Sequence, residues 1–146
     1  PDHIVEPLFA DHLICVAAPG VEADEDLALI PDAALIHTDW GRDYGVQPDW
    51  AQHFVALGLR RVPDQSAGLR VGTTSMAAAA ARAGLGVALV PSRLAAADLA
   101  QGRLREIGRA GNRLPRDYVA ISTNARDRHR PLQAFKRYLL TQTAHS

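Results

Sequence analysis

With one cysteine in 146 residues, the chain can hold no internal disulfide. Cys15 lies inside the apolar run Leu13-Ile14-Cys15-Val16-Ala17, where a buried and unreactive thiol is expected. A reducing, cytoplasmic setting fits. No stretch approaches the ~20 apolar residues that a membrane span needs, and the first residues lack the pattern of a secretion signal. Charge of one sign is not in excess either, with 16 Lys and Arg against 16 Asp and Glu. A domain that grips phosphates directly carries a basic excess on one face, so direct contact with nucleic acid is not expected. Basic residues do thicken late, from Arg103 and Arg105 through Arg109, Arg113 and Arg116 to Arg126, Arg128 and Arg130. Such a charge run is read first as a solvated face.

Recognisable catalytic signatures are also missing. There is no G-x-S-x-G elbow, H-E-x-x-H helix or Walker loop. The six histidines, at 3, 12, 37, 53, 129 and 145, have no His or Cys partner at metal-ligand spacing. Neither a metal nor a cofactor is expected, and nothing supports catalysis. No solenoid repeat or low-complexity segment occurs.

What is present is enough apolar material, 47% of the chain, for one domain with a real core. His12–Ala18 reads as a buried strand ended by Pro19 and Gly20. Asp24 is placed to cap a short helix carrying Leu27, Leu29 and Ile30, with Pro31 ending it. Ala34–His37 reads as a strand. Pro48 suits the first turn of a helix whose Trp50, Phe54 and Leu57 share one face, closed by Gly58; this spacing favours core over an aromatic ligand cage. Leu69–Gly72 is a strand, and Thr73, Thr74 and Ser75 offer three N-caps for a helix Met76–Ala83. Val87–Val90 is a strand, and Ser92 is placed to cap a helix Arg93–Ala100 closed by Gly102. Leu104–Ile107 is a short strand and 108–116 a polar connection. Tyr118–Ile121 is the last strand, and the last helix, about Pro131 to Thr141, aligns Leu132, Phe135 and Leu139. Strands alternating with helices predict an α/β sheet, at least partly parallel.

Gly84-Leu85-Gly86 follows a helix and precedes a strand, the reverse of a phosphate loop, and predicts a helix end plus close packing. Two other places carry binding chemistry. Thr73, Thr74 and Ser75 stand where a strand's carboxyl end meets a helix N-terminus, whose open amides attract carboxylates and other anions. Plain N-capping accounts for them equally well. His37, Thr38, Asp39 and Trp40 also leave a strand's end and mix aromatic surface with donors and acceptors; a simple turn is the rival reading.

The ordered run from Thr74, Ser75 and Met76 through five alanines, Arg82, Ala83, the glycine pair and Val87–Pro91, then Leu94, Leu99 and Gly102-Arg103-Leu104, resembles the effector-binding domain of LysR-type transcriptional regulators. Leu35-Ile36-His37 with Asp49, Trp50, Phe54 and Ala56–Leu59 looks like its glycine-cleavage-activator branch. The resemblance covers essentially the whole chain, with 74–104 its specific part. It implies a periplasmic-binding-protein-like (type 2) α/β domain of two subdomains with an effector in the cleft between them. On that scheme 12–18 and 117–123 are crossing strands, about 19–116 the second subdomain, and 124–146 the C-terminal part of the first. Tyr118, which opens the returning strand, falls near the cleft, as a ligand contact or as packing between subdomains.

The family's winged helix-turn-helix and the first part of the sensor have no counterpart here, and the opening Pro1, Asp2 and His3 lack an initiator methionine. A piece of a longer regulator is expected, with DNA bound only through the missing N-terminal domain. The expected partners are a small-molecule effector, anionic if the helix N-terminus sets its chemistry, and a second copy of the chain, because Leu132, Phe135 and Leu139 would lack part of their cover. The alternatives are a fragment of a periplasmic-type solute-binding protein and a small α/β enzyme of unknown chemistry.

Overall fold

The computed structural model describes residues 3–39, 49–123 and 127–144. Its strands are β1 (His3–Phe9), β2 (His12–Ala17), β3 (Leu35–Thr38), β4 (Leu69–Val71), β5 (Val87–Pro91), β6 (Arg105–Arg113) and β7 (Tyr118–Thr123). Its helices are α1 (Trp50–Ala56), α2 (Thr74–Arg82), α3 (Ser92–Ala100) and α4 (Arg130–Ala144). They form two units, His12–Leu114 and a smaller one made of Pro1–Asp11 with Pro115–Ser146.

The larger unit is built on a mixed five-stranded sheet in the order β4-β3-β5-β2-β6. β3 runs parallel to β4 and β5, and β2 runs antiparallel to β5 and β6. Residues from Leu13 to Ala17 are apolar without a break because both faces of β2 are covered. Ile14 and Val16 join Ile36, Ala88 and Val90 under α2 and Ala95 of α3. Cys15 and Ala17 join Leu35, Val87 and Leu89 under Trp50 and Phe54 of α1, with Leu27, Ile30 and Ile107. α2 meets the sheet through Ala77, Ala78, Ala80 and Ala81, whose small side chains permit a close approach.

Local chemistry sets the helix ends. Thr73 accepts from the Met76 amide at 3.2 Å and Asp49 from the Gln52 amide at 2.8 Å. Gly84, at φ +77°, ends α2, and a Cβ there would meet only Val21 Cγ2 at an ordinary 3.9 Å, whereas a Cβ on Gly86 would lie 2.3 Å from the Ala34 carbonyl oxygen. The glycine pair therefore combines a helix end with a close approach of the segments that lead into β3 and β5.

Four local expectations need correction. No helix follows Asp24, because the Asp24 and Asp26 carboxylates accept from the amides of Asp26 and Ala28 and hold turns instead; a 3-10 turn follows at Asp32–Ala34. Ser92 is the first residue of α3 rather than its cap, Pro91 holding the N-cap position without a side-chain hydrogen bond. β6 continues through much of the stretch expected to be a connection, because β2 needs a partner along its second edge; the pairing shifts register between Leu13 and Cys15, near Gly108 at φ +70°. The cap of α1 is Asp49; Pro48 lies outside the described residues.

In the smaller unit β1, which the sequence did not announce, pairs antiparallel with β7, Val5 opposite Ile121 and Pro7 opposite Val119. α4 covers one face of this ribbon. There Lys136, 7% exposed, pairs with Glu6 and Asp127, and Asp127 also accepts from the Ser122 hydroxyl at 3.2 Å. The Lys136 ammonium holds the Asp127 carboxyl below the usual carboxylate range. The other face presents Val5, Val119 and Ile121, all exposed. On α4, Leu132 and Leu139 are half-buried and Phe135 is exposed.

The two glycines are separable by mutation. Gly84→Ala meets only the unfavourable φ and is expected to cost about 1 kcal/mol. Gly86→Ala drives a methyl into a backbone carbonyl and is expected to cost about 3 kcal/mol or more. Urea unfolding of both variants checks the order; equal losses would remove the close-approach account of Gly86.

Candidate functional site

The carboxyl ends of β3 and β4 lie side by side, tied by the Asp39 amide donating to the Val71 carbonyl at 2.7 Å. From β4 the chain passes through Gly72 into α2. Thr73 does the capping, which frees Thr74 and Ser75 from that task. Thr74 is half-buried and Ser75 exposed. Their amides belong to the first turn, where no intrahelical acceptor exists, and the helix dipole adds partial positive charge. Hydroxyls and open amides at one point suit a carboxylate or another small anion.

His37 sits on β3 in the same unit. A small pocket of about 30 Å³ opens against it, lined by Leu13, Ile36, Thr38, Asp49, Trp50, Gln65, Arg70 and Leu89. The volume is about that of one water molecule. His37 is 4% exposed and its Nε2 has no hydrogen-bond partner. Burial, and then the nearby Arg70 guanidinium, push its pKa down, against the Ala67 backbone, Asp32 and Asp49. The imidazole is thus held neutral. Trp50 is wall rather than ligand cage: its Nε1 donates to the Ile36 carbonyl at 2.9 Å. Trp40 lies outside the described residues.

A second buried histidine forms a line of polar contacts. His53 Nε2 lies 3.3 Å from Cys15 Sγ, and Nδ1 lies 2.9 Å from Asn112 Nδ2. The Asn112 amide also donates to the His53 carbonyl at 3.4 Å, so its NH2 faces the ring. Nδ1 therefore accepts, and Nε2–H points at the sulfur. The order Cys–His–Asn invites comparison with a thiol nucleophile, but the electrostatics run the other way. Burial, helped by Glu106, raises the thiol to about 12, and burial lowers His53 to about 4. A thiolate–imidazolium pair needs both shifts reversed. This trio is a buried structural network, and Asn112, in a stretch expected to be a connection, gave no signal of it.

Tyr118 belongs to the smaller unit, where its ring stacks on Phe9 at 4.6 Å between centroids and 21° between planes. Thr73, Thr74, Ser75 and His37 belong to the larger one. Among the described residues no group of three or more His, Cys, Asp or Glu could hold a metal ion, and no helix is long and apolar enough to cross a membrane.

A profile of the LysR substrate binding domain matches residues 1–144. No curated protein matches the chain. Among solved structures the chain is similar to the AmpR effector domain of Pseudomonas aeruginosa, with a TM-score of 0.72 and 23% identity over 97% of this chain and 66% of that one. The AmpR effector-binding domain of Citrobacter freundii gives 0.73 and 19% over 99% and 70%. The bromide-bound regulatory domain of HypT from Salmonella typhimurium gives 0.62 and 19% over 100% and 67%. The chain spans about two thirds of the length of these domains. Likeness at this identity fixes the fold, the type 2 periplasmic-binding-protein-like arrangement.

The His53 network predicts a pH dependence of stability. Its folded pKa of about 4 lies below the unfolded value of 6.5, so between these limits the unfolded chain binds the extra proton. Stability from this group is complete above pH 6.5 and falls as pH drops toward 4, by about 3 kcal/mol. Chemical denaturation across that window should show a shallower slope for His53→Phe than for the parent chain. Identical slopes would remove His53 as the source.

Proposed function

The chain belongs to the LysR substrate binding domain family, and we propose that it is the ligand-sensing part of a transcriptional regulator, with an anionic small molecule as effector. The observation that carries this reading is the junction of β4 and α2, where open amides meet the hydroxyls of Thr74 and Ser75 beside the carboxyl end of β3. In open α/β sheets ligands settle at the strands' carboxyl ends. The HypT regulatory domain, similar in fold, was solved with a bromide ion bound, which is in keeping with an anion-accepting domain. His37, in the same unit as this junction, supplies a polar wall. An effector acts here by preferring one arrangement of the sensor and shifting its population. DNA is contacted by a winged helix-turn-helix elsewhere in the regulator, which works in the cytoplasm. The Cys15–His53 pair gives no support to an enzyme reading.

A panel of small carboxylates tests the site by thermal shift. A ligand at 100 times its Kd stabilises by about 2.7 kcal/mol, a readily measured rise in Tm. The double variant Thr74→Ala, Ser75→Ala should lose that rise while keeping its fold by circular dichroism, since the Thr73 cap is untouched. An undiminished rise in the variant would sink the assignment.

The exposed face of the smaller unit bears on self-association. Val5, Val119 and Ile121 together expose an apolar strip of the kind that marks an interface, and we propose a second copy of the chain as what covers it. Light scattering coupled to size exclusion should find a dimer or larger species that Ile121→Lys shifts toward monomer. A parent chain that is monomeric at all concentrations would end the claim.

A further inference from the structure

Among the described residues of the larger unit, His37 Nε2 is a buried side-chain nitrogen without a hydrogen-bond partner, and His37 lines the pocket. The Ala67 backbone acts on this ring as an acceptor, favouring its protonated form. With Nε2 unpaired, the Ala67 carbonyl must accept from Nδ1–H, which fixes the tautomer and leaves Nε2 as a bare lone pair. A buried acceptor in this state calls for a donor.

The pocket restricts what the donor can be. Its volume of about 30 Å³ admits one small group. Leu13, Ile36 and Leu89 close it on the apolar side, while Thr38, Gln65 and Arg70 supply polar atoms. An anion has no proton to give to Nε2. An ammonium group has protons but meets the Arg70 guanidinium, whose charge already acts on the ring. One oxygen of the Asp49 carboxylate, the acidic group of the lining, already accepts from the Gln52 amide, and at the ring the Arg70 charge outweighs that of Asp49. A neutral hydroxyl meets every condition: it donates to the imidazole and can accept from a neighbouring donor.

We propose that this pocket is a socket for a neutral hydroxyl group of a small ligand, received by His37 Nε2 and separate from the anion-accepting amides of α2. Calling that ligand the effector rests on the function proposed above; the socket itself is a property of the larger unit alone. A hydroxy acid is then the ligand class that uses both places.

Nitrogen NMR of the histidine-labelled chain at neutral pH tests this, with the His37 Nε2 resonance identified by its loss in His37→Gln and by correlation to the backbone. Ethylene glycol is the probe, dimethoxyethane the control without a donor, and methylammonium the cationic control. Ethylene glycol should move the Nε2 resonance saturably in the direction of an accepted hydrogen bond, while the two controls leave it unmoved. Saturation by methylammonium would replace the hydroxyl class with a cationic donor. An equal response to dimethoxyethane would show that no donated hydrogen bond is involved, and none to any probe a pocket that holds water only. Each of these results overturns the proposal. The pair Thr74→Ala, Ser75→Ala should leave the glycol response intact. A glycol response without any thermal shift from carboxylates would sink the anion reading alone, and the reverse would sink the socket alone.

Discussion

β2 has to be apolar on both faces because, like β3 and β5, it contributes to both cores of the larger unit. Ile14 and Val16 enter one cluster, Cys15 and Ala17 the other, so four consecutive residues leave no position for a polar side chain. Burial of side chains this size is worth about 1.5–3 kcal/mol each, which set against a total stability of about 5–15 kcal/mol makes the strand decisive. Its direction matters as much as its content. Because β2 runs against β5, with Leu13 opposite Pro91, its first residues lie at the carboxyl ends of the parallel strands. Leu13 thereby becomes a wall of the pocket beside His37, and a strand that contributes to both cores also bounds the candidate site.

Charged and polar groups divide into those that hold the fold and those left available. Asp98, 4% exposed, takes Arg82 of α2 at 2.7 Å and Arg103, just beyond α3, at 2.6 Å. The hydrogen bond from Arg82 is the largest cause of its lowered pKa. Arg61 pairs with Asp32 and also donates to the Leu27 carbonyl at 2.7 Å, pinning the turn that replaced the expected helix. Arg105 pairs with Glu25, so late arginines serve as ties across the larger unit. Against these, His37 Nε2 and the first amides of α2 stand uncommitted at the same edge of the sheet. Buried polar groups in folded proteins are nearly always satisfied, and an exception beside a cavity marks chemistry that the fold alone does not require.

Much of this was legible in the sequence because local patterns and tertiary needs agreed. The unbroken apolar strands, the alanine-rich helix and the glycine pair each carry a period or a punctuation that fixes their type. β1 and the long β6 did not show, since His3–Phe9 alternates weakly and Arg105–Arg113 is polar and contains two glycines. Both form because a neighbouring strand offers unpaired edges, a reason that lies outside the segment itself. The same holds for the site. Thr73 could be read as a cap from its position, and His37 stood out as a histidine ending an apolar strand. Arg70, Gln65, Leu13 and Leu89 reach His37 only through parallel register and antiparallel return, which no local window contains.

The two ends of α2 behave differently, and that difference bears on how a ligand could act. At its C-terminal end Arg82 is tied to Asp98 of α3 and Gly84 turns the chain into β5. At its N-terminal end one threonine side chain holds one amide, and of the next two residues Thr74 is half-buried and Ser75 exposed. The helix meets the sheet through alanines, which have no rotamers to interlock. A ligand can shift an equilibrium only by the difference in its affinity for two states, and that difference must arise where the contacts are not already fixed. The N-terminal turn of α2 meets this condition and the C-terminal turn does not. On the proposed reading, a ligand that adds contacts to the first turn works on the end of the helix that the fold has constrained least, while the anchored end carries the result to α3.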